Sequence, residues 1–255
     1  MKRYGNNKWG KTLVLNQRQD LRRFVPETKK ATKKDLLTML EKHKMVYIKP
    51  NQGTGGFGII KAEIQTNKAP KFKFTVNTQT YRFNNFDAFY HAIQKKFNSR
   101  MYVVQKGIHM LKFNNRPFDI RIMVQTNERG HWEHTGTIGR VAHPRRIVTN
   151  YHNGGTPLPL DVLLKPHVNV QERQHLNKEL SQLGLTIARH LRTAFPRLKE
   201  IGVDVGIDRA RHPWIFEVNT RPDPFIFRKL PDSKVFRRVL KLTRLHGRFL
   251  PKKIR

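Results

Sequence analysis

The segment Tyr47-Ile-Lys-Pro-Asn-Gln-Gly-Thr-Gly-Gly-Phe-Gly58 most constrains the fold, because four glycines within six residues sit between two runs that read as strands. Val46–Lys49 is a short apolar run closed by Pro50, and Ile59–Ile64 resumes strand character after the glycines. A P-loop needs Lys-Ser or Lys-Thr after its glycines, and a dinucleotide fingerprint opens a helix; this loop does neither. Without Cβ atoms it can lay backbone amides against an anion as a flap, the alternative being a flexible hairpin tip. Lys49 closes the strand before it and can reach the same anion.

The remaining pattern alternates hairpins with helices. Thr32 followed by Asp35 caps a helix through Leu36, Leu37 and Leu40, and Asn85 caps another from about Phe86 to Phe97. Strands are expected at Met101–Gln105, Asp119–Gln125 and about Thr135–Ala142, with a loop at Asn150–Pro159. Leu176, Leu180, Leu183, Ile187, Leu191 and Ala194 recur at spacings of three and four, which predicts a helix over about Glu172–Phe195. Gly202–Asp208 and Pro213–Asn219 form a hairpin, and a basic amphipathic helix follows at Ser233–Leu245. Strands paired as hairpins and packed under helices predict an α+β fold.

Two constellations carry chemistry. In the hairpin, Glu217 and Asn219 lie two apart and share a strand face, and pairing brings Asp204 beside them. Such hard oxygen donors suit Mg²⁺; the alternative is an ion pair with Arg121 or Arg221. On the strand Phe118-Asp-Ile-Arg-Ile-Met-Val124, Asp119 and Arg121 share a face, with Arg140 on the next strand, where a cation could clamp a transferring phosphoryl group. His131 and His134 flank a turn entering a strand and are not read as a zinc pair. KFKFTVNTQTYRF (71–83) reads as a half-buried hairpin with solvated lysines, although its aromatic rings could stack on single-stranded nucleic acid.

The ordered set KPNQGTGGFGIIKAE, FDIR, TNYHNGG and GVDVGID…FEVNTRP resembles the ATP-grasp superfamily over roughly Asn7 to Pro224. It is most similar to RimK-like glutamate ligases and to endospore coat-associated proteins of the YheC/YheD type. The resemblance implies two α/β lobes holding ATP between antiparallel sheets: 1–108, an N-terminal helix and small lobe with the flap, and 109–255, a large lobe with the metal site and basic C-terminal helix. It implies that Lys49, a second lysine (Lys8 or Lys11) and the loop Gly53, Thr54, Gly55, Gly56 and Gly58 hold the phosphates. Gln105, Lys106, Gly107 and Ile108 would form the hinge strand that reads adenine. Asp204, Glu217 and Asn219 would hold Mg²⁺, two ions being expected. Arg121 and Arg140 would steady the γ-phosphate or the acyl-phosphate formed from it, and Asn150, with Gly154 and Gly155, matches a loop near the acceptor.

The implied activity is that of an ATP-dependent carboxylate–amine ligase; the alternative is a non-catalytic, spore-associated binding or structural protein on the same scaffold. Only 48 residues precede Lys49, where the family carries a further domain, so the expectation is that this surface is missing or comes from a partner. Arg221 and Asp223 stand where many ligases have a small residue and Pro-Gly.

Charge points to the acceptor. Lys and Arg number 51 against 18 acids, a net charge of +33, and residues 228–255 hold eleven Lys/Arg and one acid, Asp232. Such a field draws polyanions (nucleic acid, acidic protein, anionic polymer or an anionic membrane surface), the alternative being a merely solvated basic surface. Joined to the ligase resemblance it makes an acidic peptide, protein or other anionic acceptor the expectation, with nucleic acid as an alternative. The absence of cysteine excludes thiolate catalysis, disulfides and cysteine zinc sites. No run is long and apolar enough to span a membrane, and a cytoplasmic, spore-associated location is expected.

Overall fold

A computed structural model describes residues 4–65, 69–97 and 100–250; Lys252, Lys253 and Arg255 of the basic C-terminal end lie outside them. The chain builds two antiparallel sheets. The first contains β1 (Thr28–Lys30), β2 (Met45–Pro50), β3 (Ile60–Ile64), β4 (Phe72–Val76), β5 (Gln79–Phe83) and β6 (Tyr102–Lys106), in the order β1-β6-β2-β3-β4-β5. Helices α3 (Lys33–His43) and α4 (Phe86–Gln94) cover it. Thr32 accepts the Asp35 amide and Asn85 the Ala88 amide, so both caps satisfy donors that would otherwise be orphaned. Leu36, Leu40, Phe74 and Phe89 form the core beneath them.

The second sheet runs β10 (Thr156–Leu158), β9 (Trp132–Val141), β8 (Arg116–Thr126), β11 (Glu200–Ile207) and β12 (Pro213–Asn219), with β7 (Lys112–Phe113) paired to β8. Its back face packs on α6 (Val170–Ala194), whose Asn169–Glu172 capping box fixes the helix start. Gly184 lets α6 approach closely: a Cβ there would stand 2.9 Å from Ile122 Cγ2 and Val124 Cγ2. Short α5 (Leu160–Leu164) closes one end of this core.

The first two helices, α1 (Lys8–Leu15) and α2 (Gln19–Arg22), place Val14, Leu15 and Leu21 in the core of the second sheet, although the next strand, β1, belongs to the first. The chain recrosses between the sheets after β6: Gly107 N donates to Met45 O at 2.9 Å, and Leu111 N to Ile207 O at 2.8 Å. The front face of the second sheet is divided. At one end α7 (Ser233–Leu245) covers Met123 and Ile138; the rest faces the first sheet across a cleft. Among the described residues no helix is long and apolar enough to cross a membrane.

Candidate functional site

The cleft is paved by side chains that strand register brings onto one face. Asp119 pairs with Arg140 across β8 and β9, Arg121 with Asp204 across β8 and β11, and Asp204 with Glu217 across β11 and β12. Alternation along each strand adds Asn219 beside Glu217. At Gly202, two residues before Asp204, a Cβ would meet Arg121 Cδ at 3.0 Å, so glycine leaves room for the arginine to lie flat.

The register then breaks where it matters. Asp204 opposes Glu217, but Val205 opposes Ile215, so Phe216 is an extra residue, a β-bulge. Ile215 and Val218 consequently turn into the core, while Phe216 and Glu217, though adjacent, both line the cleft. A strict two-residue period would have put Ile215 in the cleft and Phe216 away from it.

Charges are densely paired. Arg121 grips Asp204 with two hydrogen bonds, Nη2 to Oδ2 at 3.0 Å, and Arg140 Nε donates to Asp119 Oδ1 at 2.8 Å while its Nη2 lies 3.1 Å from Asp204 Oδ1. Burial alone would raise the Asp204 pKa, but the two guanidiniums more than offset it and hold it at about 2. Burial acts on Arg140 in the opposite sense, and Asp119 and Asp204 overcome it, so its pKa is raised. The ion pair weighed for Asp204 is therefore formed with Arg121, and Asn219 Nδ2 reaches the same carboxylate at 3.4 Å.

Three lysines face this carboxylate side. Lys8 and Lys11 lie three apart on α1 and so share a helix face; both line a small recess with Lys49 and Glu217. Lys8 Nζ is 3.2 Å from Glu217 Oε1 and donates to Gly53 O at 2.9 Å, tying the glycine loop to the second sheet. Lys49 Nζ donates to Gln105 Oε1 at 2.6 Å. Burial is the main cause that lowers both Lys11 and Lys49 to about 8; Glu217 restores part of the loss, and Lys8 deepens it.

Gly53, Gly55, Gly56 and Gly58 all have positive φ, a region costly for other residues. Gly56 has a second constraint, since a Cβ would collide with Asn150 Oδ1. Asn153 donates to Gly55 O, so the loop at 150–155 holds the tip of the flap. Thr54 and Gly55 line the outer end of the cleft with Asn150, Arg121 and Arg140.

The inner end is a narrow slot open to solvent. The expected hinge residues lie here: Gln105, Lys106 and Ile108 line it, and Gly107 makes the turn beside Met45. Tyr47, Ile59, Met110, Ile147 and Phe216 give it apolar walls, of the kind that takes a planar ring. None of these five was expected from sequence, because each reads as an ordinary core residue of a strand or loop. Lys106 Nζ is 4.6 Å from the Trp214 ring centroid and so leans away over β12.

Among the described residues no group of three or more His, Cys, Asp or Glu could hold a metal by itself. Glu217 nevertheless lies beside Lys8, Lys11 and Lys49, with Asn219 next to it on the outer cleft, and Mg²⁺ commonly takes one or two carboxylates and completes its shell with phosphate and water. The residues fit a cation that arrives with phosphates; they do not build a separate protein cage.

A family model described as YheC/D like ATP-grasp matches residues 2–250, and the chain belongs to that family. It is 29% identical over 226 residues to the endospore coat-associated protein YheD of Bacillus subtilis (strain 168), covering 87% of this chain and 49% of that protein. With YheC of the same organism, also endospore coat-associated, it shares 24% identity over 231 residues, covering 89% of this chain and 63% of YheC. The chain thus spans about half to two thirds of these relatives' length. Among solved structures, the ADP complex of PurK, an N5-carboxyaminoimidazole ribonucleotide synthetase, has the same fold with a TM-score of 0.50 and 11% identity, covering 91% of this chain and 50% of that one. The expected α+β, ATP-grasp fold is thereby established.

Proposed function

With ATP-grasp membership as the premise, we propose that the cleft binds Mg-ATP and activates a carboxylate for attack by an amine. The observation that carries this reading is the convergence, from both sheets and α1, of five cations and three carboxylates beneath a positive-φ glycine flap and beside an apolar slot. In this reading the slot holds the adenine, Lys49 and either or both of Lys8 and Lys11 take the phosphates, and the amides of Gly53–Gly58 cover them. Glu217 and Asn219, with Asp204 behind them, would hold Mg²⁺, which supplies charge neutralisation on the phosphates. Binding requires Lys8 to release Glu217, an exchange of one cation for another.

The chain's own groups then act by position. Arg121 and Arg140 are fixed by Asp119 and Asp204 with their guanidiniums lining the outer end of the cleft. There they stabilise the charge that develops as a substrate carboxylate takes the γ-phosphoryl group, giving an acyl-phosphate and ADP. The amine attacks the acyl carbon, the C–O bond to phosphate breaks, and inorganic phosphate leaves with that electron pair while the amine loses a proton. Asn150 lies between flap and outer cleft, where it can orient the acceptor.

The test is product formation: ADP and phosphate should appear only when carboxylate and amine are supplied together, and Glu217→Ala should abolish this with the fold intact. Full turnover in that variant would end the ligase reading. A second reading, a binding protein of the spore surface, draws support from Asp204, whose oxygens are taken up by Arg121 and Arg140. Mg-dependent nucleotide binding without turnover on any carboxylate–amine pair would favour it.

A further inference from the structure

The cleft does not end at Arg140. Beyond Pro222 the same sheet face continues into a second, solvent-open depression that none of the phosphate or metal assignments uses. Arg221 lines both, standing between the outer cleft and this groove. The floor is Glu200, which shares a strand face with Gly202 and Asp204 on β11. Four residues of strand rise put Glu200 about 13 Å from Asp204.

The groove is electropositive for a specific reason. Its one carboxylate, Glu200, is only 3% exposed, is ion-paired by Arg248 and is hydrogen-bonded by Gln125 Nε2 at 3.2 Å. Arg248 is fixed in turn by donating to Pro222 O at 3.0 Å. Arg197, Lys199 and Arg221 line the rim, are exposed, and have no ion pair among the described residues. Asn6 and Thr220, hydrogen-bonded at 3.0 Å, add an amide and a hydroxyl. Three cations that lack an ion pair among the described residues, set over one neutralised acid, attract carboxylates. Phe195, half-buried, is the one aromatic ring of the lining apart from His246, so the groove offers little surface on which bases could stack.

We propose that this groove binds an acidic peptide, with carboxylate side chains on Arg197, Lys199 and Arg221, and feeds its end past Arg221 into the outer cleft. An extended chain advances about 3.3 Å per residue, so some four residues span the distance from Glu200 to Asp204. This inference rests on the ligase reading for what happens at the cleft, but groove binding itself needs no nucleotide.

The test uses fluorescein-labelled hexaglutamate and hexathymidylate, followed by anisotropy at fixed salt without nucleotide. Arg197→Glu/Lys199→Glu should weaken hexaglutamate about ten-fold, as expected for reversing two partly exposed charges. Arg221→Glu should do the same. Lys30→Glu/Lys34→Glu, an equal charge reversal on the other sheet's exposed side, should change it little, and Mg-ADP affinity should be unchanged in Arg197→Glu/Lys199→Glu, whose two residues line the groove and not the cleft. Equal weakening by the control pair would show that the general field is responsible and would overturn the groove. So would absence of hexaglutamate binding, or tighter, groove-dependent binding of hexathymidylate. If hexaglutamate binds in the groove while no nucleotide binds, the groove stands and the ligase reading falls.

Discussion

Lys11 and Lys49 allow the phosphate assignment to be read from pH. Burial lowers both ammonium groups from 10.5 to about 8. The phosphates of a bound nucleotide between them supply the opposite charge that burial left insufficient, so binding pulls both pKa values back up and takes up protons. The free protein has the lower value, so affinity is full below pH 8 and is lost as pH rises from about 8 toward the bound value. If each lysine returns to its ordinary pKa, affinity falls about 8-fold per lysine between pH 7.5 and 9, roughly 70-fold for the pair, or about 2.5 kcal/mol. The terminal phosphate titrates around pH 6 and is constant across that range. Calorimetric titration with Mg-ADP in two buffers of different ionisation enthalpy should register about 0.9 proton taken up per lysine at pH 9, against about 0.2 at pH 7.5. Lys49→Met should halve the uptake at pH 9 and flatten the affinity profile. A pH-independent affinity with no proton uptake at pH 9 would refute the placement of phosphates between these lysines.

Gly56→Ala should weaken nucleotide binding at least ten-fold while leaving the thermal midpoint nearly unchanged, since the added Cβ strains a positive-φ turn and strikes Asn150 without touching either core. Differential scanning calorimetry beside the binding titration checks it, and unaltered affinity would remove the flap from the site. Asp204→Ala should behave oppositely: it strips Arg121 of its bidentate partner in a buried setting, a loss of about 3–5 kcal/mol that would lower the midpoint by roughly 6–20 °C. A change below about 1 kcal/mol would mean that the carboxylate serves a ligand and not the arginines.

Much of the fold was legible because periodicity and caps were strong. The strand Pro213–Asn219 and the helix Ser233–Leu245 have the expected bounds, and Thr32, Asn85 and the apolar stripe of α6 begin or define helices as read. Asn150–Pro159, expected as loop, contains the three-residue strand β10 (Thr156–Leu158), too short and too proline-rich to show a period, and the rest of what escaped was tertiary. Nothing in α1 announces that it docks under the second sheet, since Val14 and Leu15 would suit either core. The bulge at Phe216 is invisible in a pattern that counts by twos, and it decides which aromatic faces the cleft. Lys8 and Lys11 could not be ranked by spacing because three residues apart is one helix face, and the structure sets both beside Glu217. The pairing of Arg140 with Asp119 as well as Asp204 depends on cross-strand register, which sequence alone left open.

In the proposed function, nucleotide and Mg²⁺ meet at Glu217 in this cleft. Calorimetric titration of the protein with ADP, with and without Mg²⁺, in wild type and Glu217→Ala, tests this. One ADP per chain, tightened by Mg²⁺ in wild type and indifferent to Mg²⁺ in Glu217→Ala, is the predicted result. No binding in either condition, or Mg²⁺ dependence undiminished by the substitution, would contradict it.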